Sequence, residues 1–337
     1  MTRLELTPLA PPIVHSGRGD LPVVLSVPHS GRDYPDWLVA MSVRGRPSLT
    51  ILEDPLVDRL VWRALQHGVG AVIARSPRAA IDCNRAEDEI DPAIVEGRGS
   101  GRISARARGG LGIGPSRPQA LGHLWRRAIS RGELSGRIAQ AHRPYHDALA
   151  HELRRTVDRF GCALLLDCHS MPPVPDGVPP VIFGDCFGRT AGQWVSHEAA
   201  RIAARSGFAS ALNNPFAGGH VIERHSAPGR GVHALQVEID RRCYLDARLR
   251  FDLDRGVLAP EGSAPRARPS QRACSVRSHS VGSSAKTASS APTSSRAAPQ
   301  TRIAAATRTS ASAAMRNSVS ARSPSARTIV SYAAGCG

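Results

Sequence analysis

Three places in this 337-residue chain bring side chains able to bind a metal or move a proton to the end of an apolar run. His29 follows PVVLSV at residues 22–27, His169 follows ALLL at residues 163–166, and Glu238 lies within ALQVEID at residues 234–240. Asp54 and Asp58 stand four residues apart at the head of a helical pattern, which puts both carboxylates on one helix face. Two histidines and a carboxylate with a fourth position open form a catalytic zinc site, where the cation lowers the pKa of water to about 7 and polarises a carbonyl. The expected ligands are His29, His169 and either Asp54 or Asp58, with Glu238 as the separate carboxylate that moves protons. Zinc is preferred on ligand type, and iron, cobalt or manganese would also serve. Plainer roles exist for each acid: Asp54 as a helix N-cap, Asp58 as a first-turn acid facing the helix dipole, Glu238 as a satisfied strand-end carboxylate.

Such a site needs strands that deliver these groups to one edge. Residues 163–170, ALLLDCHS, read as a buried strand stopped by Pro172 and Pro173, and the two-residue repeat puts Asp167 and His169 on the same side. Asp54-Pro55 opens a helix whose apolar face is Leu56, Val57, Leu60, Val61, Ala64 and Leu65, and Gly68 ends it. A strand at 70–74 leads towards Asp82, Asn84 and Arg85. The Gly- and Arg-rich stretch 96–117 reads as a long flexible loop, 118–131 and 135–160 as helices, 180–184 as a short strand, and 190–207 as an amphipathic helix. A Gly- and His-rich loop at 213–231 precedes the last strand. Strands alternating with helices predict an α/β fold, a mostly parallel mixed sheet flanked by helices.

Charge divides the chain in two. Residues 256–337 hold eleven basic residues against Glu261 alone, a net of +10, so the first 255 carry only +6 of the total +16. The expected organisation is one folded domain carrying the metal site over 1–255 and a disordered Ser/Ala/Arg/Pro-rich tail over 256–337. The tail reads either as a basic extension or as an out-of-frame end. Lys286 is the only lysine, so the gene is arginine-biased, and shifted frames of such genes spell this mixture of residues. Binding of nucleic acid through the tail is the alternative outside the enzymes; the rest of the chain shows no recognition-helix signature and few aromatics for stacking. Seven cysteines without a CxxC pair point to reduced thiols, and the absence of a leader or an eighteen-residue apolar run points to a soluble, cytoplasmic protein without a membrane partner. Oligomeric state is not legible.

Six separated motifs, in order, carry a resemblance: PHSGRDYP (28–35), EDPLVDRL (53–60), IDCNR (81–85), RPYHDAL (143–149), LLLDCHSMP (164–172) and FAGGHVIERHSAPGRGVHALQVEIDRRCYLD (216–246). Together they resemble the N-formylglutamate amidohydrolase family. The resemblance implies a zinc-carboxypeptidase-like (phosphorylase/hydrolase-like) α/β fold. It also implies a divalent metal, and hydrolysis of N-formyl-L-glutamate to formate and glutamate in histidine degradation. The order His29, acid, Asn84-Arg85, His169, Glu238 is similar to that of zinc carboxypeptidases, where an Asn-Arg pair holds the substrate carboxylate. Arg85 is then expected on one substrate carboxylate and on charge in the tetrahedral state, with Asn84 beside it. Arg143, Arg224 or an arginine of the 102–108 run would take the second carboxylate, and His146, His220 and His225 would line the pocket. One departure stands out: RLRFDLDRGVLAP after Asp246 offers only a short terminal helix where the family closes its sheet.

Overall fold

The run at Ala163–Met171 is buried along almost its whole length because its alternate leucines pack into two different cores. The structure is a computed structural model that describes residues 7–96, 104–118 and 122–246. Its sheet has seven strands in the order β1-β3-β2-β4-β7-β5-β6. These are β1 (Ile13–His15), β2 (Val23–Val27), β3 (Gly70–Ile73), β4 (Ala163–Met171), β5 (Val181–Gly184), β6 (Ser210–Leu212) and β7 (Val232–Asp240). β3, β2, β4 and β7 are parallel, β1 runs antiparallel to β3, and β5 runs antiparallel to β7. The α/β class is as expected. The edge strands β1 and β6, three residues each, are too short to leave a periodic signal.

Successive side chains of a strand face opposite ways. Leu164 and Leu166 therefore pack with Leu25, Ile73 and Leu235 beneath Val57, Val61 and the helix Gln193–Arg205. Leu165 packs on the other face with Val24, Val72 and Ala234 beneath Tyr145, Leu149 and Leu153 of the helix Arg143–Phe160. Each such leucine contributes roughly 1.5–3 kcal/mol by leaving water. A third core, with Ile81, Ile113, Leu124 and Ile129 at its centre, lies under the connections and anchors the segment carrying Asp82, Asn84 and Arg85.

Several expected elements differ. The helix after Asp54 starts only at Val57, because Leu56 takes a left-handed conformation at φ 61°, and it is divided at Val61 into two short pieces, Val57–Leu60 and Trp62–Gln66. The Asp54 side chain caps neither; its carboxylate is drawn to histidines. Within 118–131 the described residues before Arg131 form no helix and make bridges from Trp125 to Ser42 and from Ile129 to Val95. The next helix begins earlier than expected, at Arg131, where Ser130 and Glu133 form a reciprocal capping box. It passes through a π-helical turn, Ile138–His142, into Arg143–Phe160. The stretch read as a flexible loop holds a short helix, Ala105–Arg108, and a fully buried Ile113 whose carbonyl accepts from the Asp82 amide at 2.8 Å. The loop before the last strand contains the helix His220–His225.

The tail at 256–337, the short helix expected after Asp246, and residues 97–103 and 119–121 of the expected loop and helix lie outside the described residues. No helix among the described residues is long and apolar enough to cross a membrane.

Candidate active site

The parallel register brings the chemistry together. Ser26 of β2 stands opposite Asp167 of β4, and β4 places Asp167 and His169 opposite Gln236 and Glu238 of β7. His29 follows β2 by two residues. All of these lie at the carboxyl ends of the central strands, where open α/β sheets place their ligands.

Three donor atoms converge there. His29 Nδ1 and His169 Nδ1 lie 3.1 Å apart, and Asp54 Oδ2 is 3.2 Å from the first and 2.9 Å from the second. The far side of each ring is tied to its own carboxylate: His29 Nε2 donates to Asp82 Oδ1 at 2.8 Å, and His169 Nε2 donates to Asp167 Oδ2 at 2.8 Å. These acids are fixed in turn, Asp82 by Arg78 Nε and the Asn84 amide, Asp167 by the Ser26 hydroxyl. With Nε2 protonated on both neutral rings, both Nδ1 atoms present lone pairs to each other and to a carboxylate oxygen. Such a cluster is repulsive unless a proton or a metal cation sits among the three.

The electrostatics ask for the same thing. Asp54, Asp82, Asp167 and Glu238 are all buried. Burial opposes charge on His169, yet Asp167, Asp54 and Glu238 outweigh it and hold its proton affinity well above the usual imidazole range. Burial would raise Asp54 too, but hydrogen bonds with His169 and His29 keep it well below the ordinary carboxylate range. Donors about 2.0–2.1 Å from a tetrahedral zinc stand about 3.3 Å from one another, close to the spacing of these three atoms. Donor types, spacing and supporting carboxylates all fit a divalent cation.

Glu238 stands beside this group with a different environment. Burial pushes its carboxyl up to about 7, with Asp54 and Asp167 adding to the rise and His169 and Arg78 opposing it. Gln236 Nε2 donates to Glu238 Oε1 at 2.9 Å and orients it.

A second group of imidazoles, His142, His146 and His220, also brings donor atoms near one another. Its hydrogen bonds tell of other work. His142 Nε2 donates to the Arg85 carbonyl at 2.8 Å, and His146 Nε2 donates to the Cys83 carbonyl at 2.9 Å. The remaining His146 nitrogen accepts from His225 Nε2 at 2.9 Å. Two histidines one helical turn apart thus grip the backbone on either side of Asn84.

Asn84 connects this clamp to an open cavity of about 350 Å³, lined among others by Asn84, Arg85, Glu89, Arg106, Gly219 and His220. Its Nδ2 lies 3.2 Å from His169 Nε2, and its Oδ1 accepts from the Val221 amide at 2.9 Å. Gly219 must be glycine-sized, because a Cβ there would come within 2.5 Å of the Asn84 amide. Arg85 is 5% exposed, and its Nε and one terminal nitrogen donate to the carbonyls of Leu111 and Asn84. A second cavity, about 190 Å³ beside Trp125 and Arg117, contains none of these groups.

The structure therefore gathers His29, Asp54, His169, Glu238, Asn84, Arg85 and His220 at one end of the sheet. Three expected residues stand elsewhere. Asp58 turns away after the left-handed Leu56, and its carboxylate is taken by Arg32 at 2.7 Å, which leaves Asp54 as the acid beside the histidines. Arg143 is 58% exposed and pairs with Glu87 at 2.8 Å, outside the cavity. His146 is 1% exposed, behind the cavity wall and not on it. The roles of Asp82 and Asp167 as carboxylate partners of the histidines, of Gln236 in orienting Glu238 and of His142 in the clamp are not assigned by the sequence. For Asp167 the signal was present in its two-residue spacing from His169. For Asp82, paired 53 positions from His29, no local signal exists.

Comparison with known proteins shows the family of the chain. The N-formylglutamate amidohydrolase family matches residues 21–245. N-formylglutamate deformylases of Pseudomonas putida and Pseudomonas aeruginosa are 30% and 28% identical over 238 and 247 residues. Each alignment covers 69% of this chain, and 84% and 86% of the respective relatives. The crystal structure of N-formylglutamate amidohydrolase from Ralstonia eutropha JMP134 superposes with a TM-score of 0.67 at 30% identity, over 72% of this chain and 91% of that one. A solved protein from Agrobacterium tumefaciens, 16% identical with a TM-score of 0.50 over 69% and 85% of the two chains, shares the fold alone. The match runs from just before the first parallel strand to just after the last and takes in every residue of the converging site. This chain belongs to the N-formylglutamate amidohydrolase family.

Proposed function

We propose that this chain hydrolyses the formyl amide of N-formyl-L-glutamate to formate and L-glutamate, a step of histidine degradation. The observation that carries the reading is the convergence of His29, His169 and Asp54 within 3.2 Å, beside a cavity walled by a buried guanidinium. His29 Nδ1, His169 Nδ1 and Asp54 Oδ2 would hold a divalent cation, zinc on ligand type. When bound, that cation supplies Lewis-acid polarisation of a carbonyl and a lowered pKa for water.

The chain's own groups do the rest. Asp82 and Asp167 hold the ring protons on Nε2, so both imidazoles present Nδ1. Glu238 takes a proton from the attacking water at its carboxylate and returns it to the departing glutamate nitrogen. A carboxyl raised towards neutrality suits a group that both accepts and donates, and a cation held by the neighbouring ligands brings it down from there. Arg85, its plane fixed by two carbonyls, binds a substrate carboxylate with its free edge, and Asn84 lines the path between that carboxylate and His169. The test is formate release from N-formyl-L-glutamate by the full chain, with N-acetyl-L-glutamate as comparison. Formate release with little or no acetate release supports the reading. Preference for the acetyl compound would assign the site to another acyl amino acid.

A further inference from the structure

The cavity beside Asn84 holds two guanidiniums and two carboxylates, and their pairing is uneven. Glu89 accepts from the Ser104 hydroxyl, and Glu223 pairs with Arg189 at 2.8 Å. Both acids are thus engaged. The two cations are not matched in the same way. Arg85 hydrogen-bonds only to backbone carbonyls, with Asp82 and, more weakly, Glu89 acting on it through space. Arg106, on the helix Ala105–Arg108, makes no side-chain hydrogen bond or ion pair among the described residues, although it stands close enough to Arg85 to disfavour its charge. Two like charges facing one cavity, neither hydrogen-bonded to a carboxylate among the described residues, repel, and a ligand with two negative groups relieves both.

We propose that Arg106 binds the side-chain carboxylate of an N-formyl dicarboxylic amino acid and makes the site selective for glutamate over neutral residues. This rests on the hydrolase reading above. The assignment of the two carboxylates follows from distance along the substrate. The α-carboxylate lies two bonds from the amide nitrogen, and the side-chain carboxylate lies further out. Arg85 adjoins Asn84, which is 3.2 Å from His169, so it is the nearer cation and takes the α-carboxylate. Arg106 takes the outer group. Ser104, bonded to Glu89 and capping the helix through the Ala107 amide, holds the segment that presents it.

The experiment compares the wild-type full chain with Arg106→Ala and Arg106→Lys on N-formyl-L-glutamate and its neutral isostere N-formyl-L-glutamine, by formate release and by calorimetric binding. A charged hydrogen-bonded contact corresponds to about a 10- to 100-fold effect. Arg106→Ala should raise KM for N-formylglutamate by about that factor, leave kcat and the glutamine compound nearly unchanged, and so abolish the preference; the lysine variant should restore part of it. An equal loss on both substrates, or no change on either, overturns the proposal. So does a wild type that does not distinguish acid from amide. If no formate is released but Arg106→Ala selectively weakens binding of the glutamate compound, the subsite stands and the hydrolase reading falls.

Discussion

Asp167 and His169 stand two residues apart on β4, and the carboxylate of the first accepts the Nε2 proton of the second at 2.8 Å. The strand repeat makes this contact local, while Ser26 of the neighbouring strand holds the other oxygen at 2.6 Å. Asp167→Asn keeps the volume but lets an amide N–H face the ring and favours the wrong tautomer. Metal affinity should fall about 10- to 100-fold with the fold retained. Competition against a chelator of known affinity measures it; unchanged affinity would mean that the ring is oriented by other contacts.

Glu238→Gln removes the proton acceptor and leaves the donor atoms of His29, Asp54 and His169 in place. Turnover should drop by about 10²- to 10⁴-fold while metal content stays at the wild-type level. Metal analysis alongside the rate separates the two roles, because a variant that loses its metal would make Glu238 a ligand and not a base.

Burial lowers His225 to about 4, with Arg224 and His220 adding to the effect. Its folded value lies below the unfolded value of about 6.5, so protons bind the unfolded chain more tightly. The neutral form is favoured by folding at no cost above about pH 6.5. Stability is then lost as pH falls from there towards about 4. Melting temperature followed over that window should decline, and His225→Gln should flatten the decline; an unaltered slope would remove His225 from the account.

Gly219 lies where a Cβ would meet the Asn84 amide at 2.5 Å. Gly219→Ala should shift Asn84 and, through it, the wall next to Arg85. The expected result is a loss of roughly 10-fold or more in kcat/KM, in line with small misplacements in active sites, with melting temperature nearly unchanged. Full activity would show that Asn84 can move without consequence.

Much of this site could be read from residue type and position alone. His29 and His169 announce themselves as polar groups at the ends of apolar runs, and Glu238 follows by alternation within ALQVEID. The choice between Asp54 and Asp58 was not legible. It depends on Leu56, whose left-handed turn breaks the helix that would have put both acids on one face. The capping box at Ser130 and Glu133 was legible as a Ser-x-x-Glu pattern, and it marks the true start of the helix read as beginning at 135. The grip of His142 and His146 on the carbonyls of residues 85 and 83 leaves no sequence trace, because any backbone can accept those bonds. Arg143 and Arg106 look equally suitable as arginines in sequence. Only the fold shows that Glu87 occupies the first and that the second faces the cavity.

The most direct test is metal content and formate release from N-formyl-L-glutamate, measured on one preparation of the full chain before and after chelation and after metal is restored. The account predicts about one divalent ion per chain, loss of formate release on chelation, and recovery on reconstitution. Formate release that persists in fully metal-free protein would contradict it, and would leave the convergence of His29, Asp54 and His169 in need of another explanation.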